Sequence, residues 1–312
     1  TVDRFSRNIG SAGTWTISQS TDVPTGQGFA KSLKMDCTTA NGSLSSNSEF
    51  VLRQNVEGQN LQYLKKGTSS AESTTLSFWV KSNKTGTYIC ELVDNDNSRQ
   101  ISQAYTISSA DTWEKKTLTF AGDTTGAFGN DNGNSLTVGW WLVAGSDFTS
   151  GTLSTTWTSS TNANRVVGQV NLADSTSNEW YITGVQLEAG TSASDFEFLP
   201  QDVNKQRCFR YYYRSVVESN GIGFFCSMSN AALACVHQFP AIMRAVPTMG
   251  YGWTSAYTGN TWVDLITGGV ATWTLTQNQV GREGVKNIYD NSKSGYTVGR
   301  HFGTHMEADA EL

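Results

Sequence analysis

Strict two-residue alternation constrains this chain more than any other feature. "TLSFWVKS" sets Leu76, Phe78 and Val80 against Ser77, Trp79 and Lys81, and "TWEKKTLTF" ends with Leu118 and Phe120 alternating with Thr117 and Thr119. "LTVGWWLVAGS" sets Val138, Trp140 and Leu142 against Gly139, Trp141 and Val143. Side chains of a strand point alternately to its two faces, so each run reads as a strand with one apolar face. Between them lie "DNDNS", "GDTTG" and "GNDNGN", residues that tolerate the backbone angles of tight turns. The expected fold class is therefore all-β: an N-terminal sandwich over residues 1–200 and a smaller C-terminal sandwich over 207–312, with 201–206 as the joint after Pro200.

Helical signal is thin. Leu61 and Leu64 stand at helical spacing, with Asn60 as a candidate N-cap and Gly67 past the end, which predicts one short helical turn. No unit of 20–50 residues repeats, which disfavours solenoids and propellers.

Charge narrows the partners. The chain of 312 residues has a net charge of −5 and no basic cluster beyond the pairs Lys65-Lys66 and Lys115-Lys116, so nothing would neutralise a run of phosphates, and nucleic acid is not an expected partner. No apolar run approaches the ~20 residues that span a bilayer, residues 1–30 lack a signal-type apolar segment, and a soluble chain is expected. Five cysteines without CxxC spacing read as free, mostly buried thiols in a chain assembled in a reducing cytoplasm.

The quoted segments "TLSFWVKS", "TWEKKTLTFAGD", "GTLSTTWTSS" and above all "WYITGVQLEAGTSASDFEF" resemble the jelly-roll module of bacteriophage tail-fibre and other virion structural proteins. That module looks like the carbohydrate-binding modules of polysaccharide-degrading enzymes. "QRCFRYYYRS", "FPAIMRAVPT" and the terminal "ADAEL" resemble the segment that follows it in such proteins. The resemblance implies a jelly-roll, a place in the virion, and a tail- or head-fibre appendage that binds host surface polysaccharide without chemistry of its own. A capsid decoration or tail component with a purely assembly role is the alternative, as is the binding module of a depolymerase.

In this frame "EWYITGVQLE" is the last long strand of the first sandwich and Gly190 turns the chain. Phe196 and Phe198 then pin it to the core, and Glu188 is a strand-end carboxylate satisfied by turn amides or a cation. A glycosidase needs two carboxylates about 5–9.5 Å apart. Glu179 and Glu188 sit some 30 Å apart at about 3.3 Å per residue. With Glu49 and Glu197 unplaced, no catalytic residue is expected. His301 and His305 flank Gly303 without an evident third metal ligand.

Sugar binding uses aromatic rings exposed on a sheet face. Trp79, Trp141, Trp157 and Tyr181 lie opposite the aliphatic set and are the candidates, for a glycan or for a neighbouring subunit. Asp94, Asp96 and Asp131 offer hard oxygens in loops and are the candidate calcium ligands, although tight turns need the same residues. No other cofactor is expected. Phage fibres of this kind are commonly trimeric. The aromatic C-terminal part, including Phe224, Phe225, Trp253, Trp262 and Trp273, is too small to bury all its rings, so the expected partners are further copies in a homotrimer and other virion proteins. Tyr211, Tyr212 and Tyr213 are the interface candidates.

Overall fold

The computed structural model describes residues 5–215, 224–229, 232–234, 236–252, 261–264, 270–272, 276–289 and 301–311. The chain divides into Thr1–Phe198 and Leu199–Leu312.

The first unit holds β1 (Phe5–Gly10), β2 (Thr14–Ser20), β3 (Ser32–Thr39), β4 (Glu49–Glu57), β5 (Thr74–Ser82), β6 (Gly86–Asp94), β7 (Arg99–Ile107), β8 (Glu114–Phe120), β9 (Asn134–Ala144), β10 (Thr158–Ser159) and β11 (Glu179–Ala189). They form a six-stranded sheet ordered β1-β4-β9-β6-β7-β10 and a five-stranded sheet ordered β2-β3-β11-β5-β8. All the pairs are antiparallel, and sequence neighbours often lie in opposite sheets, which is the winding of a jelly-roll sandwich.

The inward faces fuse into one core, in which Phe50, Leu76, Phe78, Val80, Trp140 and Trp180 are fully buried. Phe78 meets Tyr105 and Trp140 edge-on, with centroids 5.2 and 6.0 Å apart, the arrangement that ring quadrupoles favour. Each such side chain contributes about 1.5–3 kcal/mol through burial.

The alternation fails near the end of β9. Phe50 pairs with Val143 and the next residue, Val51, pairs with Trp141, so Leu142 is an extra, bulged residue. After the bulge Val143 joins Leu142 and Trp140 in the main core, where the unbroken pattern puts it beside Trp141. Trp141 alone stays outside.

The predicted helical turn is instead two 3-10 turns, Gly58–Asn60 and Gln62–Leu64, with Leu61 rather than Asn60 capping the second. Lys65 ends it in the left-handed region at φ 51°, and Gly67 follows at φ 83°, where a β-carbon would sit 2.7 Å from the Ala127 amide nitrogen. At the end of β11, Gly190 turns at φ 105°; its N–H donates to the Ser73 carbonyl and its carbonyl accepts from Thr75 Oγ1. Phe196 and Phe198 pack on Phe29, 5.1 and 5.2 Å away, over the β11 irregularity at Gly184 and apart from the main core, and Phe198 stays 56% exposed.

Between β9 and β10 lies a short helix, α1 (Ser146–Thr149). The second unit opens with α2 (Gln201–Phe209), so residues 201–206 are helical and not a joint. Pro200 caps the helix and Asp202 sits in the first turn, where a carboxylate complements the exposed amides.

Among the described residues ten strands follow: β12 (Tyr212–Arg214), β13 (Phe224–Ser229), β14 (Ala232–Ala234), β15 (Val236–Gln238), β16 (Thr248–Gly252), β17 (Thr261–Asp264), β18 (Val270–Thr272), β19 (Thr276–Gly281), β20 (Gly284–Tyr289) and β21 (His301–Asp309). β21 is the hub and pairs with β12, β13, β16 and β17, while β15, β20 and β19 form a separate antiparallel sheet. Trp253 and Trp273, and the side chains of Phe224, Phe225, Trp262, His301 and His305, lie outside the described residues. Among the described residues no helix is long and apolar enough to cross a membrane.

Candidate binding cleft on the six-stranded sheet

The outer face of the six-stranded sheet is built in rows, because antiparallel register places partners side by side. Val51 and Trp141 make one row; Arg53, Gly139, Glu91 and Ser102 the next; Asn55, Thr137, Val93 and Gln100 the third. The segment between β9 and β10 folds back over the first row, tied by Val166 N–H to the Phe148 carbonyl, Gly151 N–H to Ala163 and Ser102 N–H to Ser154. Under it Val51, Ile89, Trp141, Phe148 and Val166 form a small second core. The remaining rows stay open as a cleft of about 250 Å³, lined by Val51, Arg53, Glu91, Val93, Asn95, Gln100, Thr137, Gly139, Ser160, Asn162 and Arg165.

Glu91 and Arg165 fix its end wall. Arg165 Nε and Nη2 donate to the two carboxylate oxygens of Glu91 at 2.8 and 2.7 Å, and Trp141 Nε1 adds a third donation at 3.0 Å. Glu91 is only 1% exposed, so this bidentate pairing is what makes its charge tolerable. The guanidinium stacks over Trp141 at 4.9 Å. Burial opposes the charge on Arg165, but the hydrogen bonds and charge of Glu91 outweigh it and hold the group above its ordinary value.

The floor is low because Gly139 has no side chain; a β-carbon there would lie 3.2 Å from Val51 Cγ2. Gln100 pins the side wall, donating to Ser154 Oγ and the Thr161 carbonyl and accepting from Thr161 N–H. Arg53 forms the opposite wall. Its one ion-pair partner among the described residues is Glu49, 3.9 Å away, beyond hydrogen-bond length, and Glu49 itself accepts from Asn8 Nδ2. Burial pushes the Arg53 guanidinium below its ordinary value and the like charge of Arg165 adds to this, offset in part by Glu49 and Glu91.

The cleft contains a single carboxylate among the described residues, Glu91, and three donors already occupy it. Hydrolysis by paired carboxylates needs a second.

The candidates Trp141 and Tyr181 face outward as alternation suggests but are covered by other segments. Trp141 is fully buried and serves the cleft only through Glu91 and Arg165. Tyr181, on the outer face of the other sheet, is 7% exposed. Lys81 lies 4.5 Å from its ring centroid, Trp113 6.2 Å, and its hydroxyl donates to Glu179. Burial, then Glu179, pushes that phenol up to about 12. Trp157 is half-buried, donates to the Ala121 carbonyl, and has the Lys66 ammonium 5.4 Å from its ring. Trp79 is half-buried on the five-stranded sheet, in register with Thr183 and Lys115. Trp79 and Tyr181 share the outer face of the five-stranded sheet, on the paired strands β5 and β11, away from the cleft.

Of the candidate calcium ligands, Asp94 is fully buried and receives the Lys66 ammonium together with the N–H groups of Asp96 and Asn97. Lys66 also lies 3.1 Å from Asp123 and donates to the carbonyls of Thr125 and Gly126. A lysine ammonium thus sits among four oxygens where the sequence suggests a cation. Asp96 and Asp131 converge on Gly129 and accept turn amides from Gly129 and Gly133. Asp96 and Asp131 thus bring two carboxylates together, and no group of three His, Cys, Asp or Glu side chains fit to hold a metal occurs among the described residues.

Glu188 accepts from the N–H and hydroxyl of Ser194, and those bonds hold it below its ordinary value. In the second unit Tyr211 is buried and Tyr213 packs on Phe209, His237 and Phe239. Tyr211 thus lies inside the fold of its own unit, and Tyr212 and Tyr213 are half-buried. Cys37 and Cys90 are buried thiols outside any disulfide, and Cys208 is a half-buried one.

Arg53, Glu91, Gly139, Asn162 and Arg165 were missed by the sequence reading. Two signals pointed to the site: a charged residue facing out in "FVLRQNV" and a glycine inside the aromatic strand "VGWW".

No family model matches the chain, and no curated protein matches it. Among solved structures it is similar to the enzymatically active domain of tailspike protein 4 of bacteriophage CBA120, at 13% identity and TM-score 0.36 over 61% of this chain and 20% of that one. It therefore spans about a fifth of the tailspike chain. A family 11 carbohydrate-binding module from Clostridium thermocellum, solved with a β-1,3-1,4-mixed-linked tetrasaccharide, is similar at 9% identity and TM-score 0.33, over 62% of this chain and 93% of that one. The N-terminal cellulose-binding domain of Cellulomonas fimi β-1,4-glucanase C is similar at 12% identity and TM-score 0.30, over 52% and 80%.

Proposed function

We propose that the first unit binds a glycan in the cleft of the six-stranded sheet and does not hydrolyse it. The observation that carries this reading is the Arg53–Gly139–Glu91 row, a floor without a side chain between two charged walls, rimmed by Asn95, Thr137, Ser160 and Asn162. Saccharide hydroxyls are satisfied by such fixed amides, hydroxyls and charges. The wider role we propose is that of a fibre-type appendage of a phage particle, assembled as a homotrimer with other virion proteins and turned toward host surface polysaccharide. The likeness of "WYITGVQLEAGTSASDFEF" and of the aromatic C-terminal segments to phage modules supports it. In the second unit Val203, Ile242 and Val246 are exposed, as a chain that meets further copies would leave them.

The test is titration of the full chain with host surface polysaccharide, with Gly139→Leu filling the floor and Asn162→Ala removing a rim amide. Thermal unfolding verifies that each variant folds. At least tenfold weaker binding by a folded Gly139→Leu protein is expected, with no reducing ends released by the parent. Unchanged binding by both variants rules the cleft out.

A further inference from the structure

We propose that the cleft selects a glycan bearing a carboxylate, a uronic-acid type of sugar, and that Arg53 is the residue that pairs with it; this rests on the cleft being the glycan site. Arg53 stands in an interior strand, between Ser6 of β1 and Gly139 of β9, so its backbone is held on both sides and its side chain stands beside the glycine floor. A guanidinium carries five N–H donors in a planar fork that matches a carboxylate. Here the only ion-pair partner among the described residues is Glu49 at 3.9 Å, and the Arg53 side chain is just 30% exposed. A half-buried cation with so little pairing favours an incoming anion.

Glu91 does not meet that need. Its oxygens are occupied by Arg165 and Trp141, which turn it toward the other wall. Gly139 separates the two walls, so a ligand group resting on the floor reaches Arg53 without displacing a side chain.

The charge balance favours a monoanion. Glu91 and Glu49 offset the charges of the two guanidinium groups, Arg53 and Arg165, which leaves no excess positive charge for a phosphate dianion. The volume of about 250 Å³ is below the roughly 300–1,000 Å³ of sites for drug-sized ligands, which suits one sugar ring. On the rim Asn162 and Ser160 present neutral groups suited to hydroxyls.

The experiment uses the full chain on an array of matched oligosaccharides: glucuronate-, galacturonate- and mannuronate-containing chains, their carboxyl-reduced counterparts, and sugar 6-phosphates. The parent should prefer an acidic chain over its reduced partner by about ten- to a hundredfold, the worth of a charge-assisted pair. The preference should shrink as salt is raised. Arg53→Gln should abolish it by bringing the affinity for the acidic chain down to that for its reduced partner, and Arg53→Lys should restore only part of it. Equal affinity for acidic and reduced partners, with Gly139→Leu still blocking both, overturns the carboxylate assignment and leaves the cleft as the glycan site. Preference for sugar phosphates overturns it likewise. Binding that no cleft variant alters, or no binding to any member, overturns the glycan reading of the cleft itself.

Discussion

Replacing Lys66 by Met tests the buried ion cluster most directly, since Met keeps the length of the side chain and removes its charge. The Lys66, Asp94 and Asp123 side chains are 4%, 0% and 4% exposed. Breaking a buried pair by removing one partner costs about 3–5 kcal/mol, because a charge is left buried and uncompensated. The remaining contacts place this case at the low end. Asp123 keeps Arg99, at 2.6 and 3.1 Å, and Asp94 keeps three N–H donors from Asp96 and Asn97. The expected loss is therefore about 3 kcal/mol, which lowers the unfolding temperature of a unit this size by roughly 6–12 °C. Tryptophan fluorescence during thermal unfolding reads it, because Trp157 packs against Lys66 and Trp140 and Trp180 lie in the same core. The double variant Lys66→Met/Asp94→Asn removes the stranded charge and should recover part of the loss. A single-variant loss under about 1 kcal/mol, the range of exposed pairs, refutes the reasoning.

Trp141→Ala should destabilise the first unit by about 3–5 kcal/mol, the cost of deleting a buried large ring, so chemical denaturation will show a fold effect before any effect on ligand is interpretable. Trp79→Ala, on the other sheet, should leave binding in the cleft unchanged in the same glycan titration. Acid should destabilise the chain in a defined direction. Burial by itself raises the carboxyls of Asp123 and Glu179, but Arg99 and Lys66 on the first and Lys34 and Tyr181 on the second outweigh it and hold both below their ordinary 3.8 and 4.5. Their contribution is full above those ordinary values and is lost as pH falls through the lower folded values. A pH series of denaturation midpoints for the first unit, which contains no histidine, should therefore decline only below about pH 4.5.

How much was legible follows from which forces are local. Alternation in "TLSFWVKS" and "TWEKKTLTF" determined that Leu76, Phe78, Val80, Leu118 and Phe120 are core, since a strand has only two faces and one carries the apolar set. Gly190 as the turn after β11, and Ser194 answering Glu188, were readable for the same reason: partners a few residues apart are settled by local geometry. Sequence alone also determined the all-β class. It did not determine that Leu142 is bulged, because a bulge depends on the register against β4. Nor did it determine which outward rings are covered. Trp141 and Tyr181 alternate outward as expected, and are closed off by residues that arrive from elsewhere, Phe148 and Arg165 in one case, Lys81 and Trp113 in the other. The loop aspartate Asp94 has its charge partner, Lys66, 28 residues upstream. The cleft itself joins Arg53, Glu91, Gly139 and Arg165 from β4, β6, β9 and the segment after α1. Only the pairing of strands distant in sequence brings them into one row, and periodicity along a single strand carries no information about which strand lies beside it.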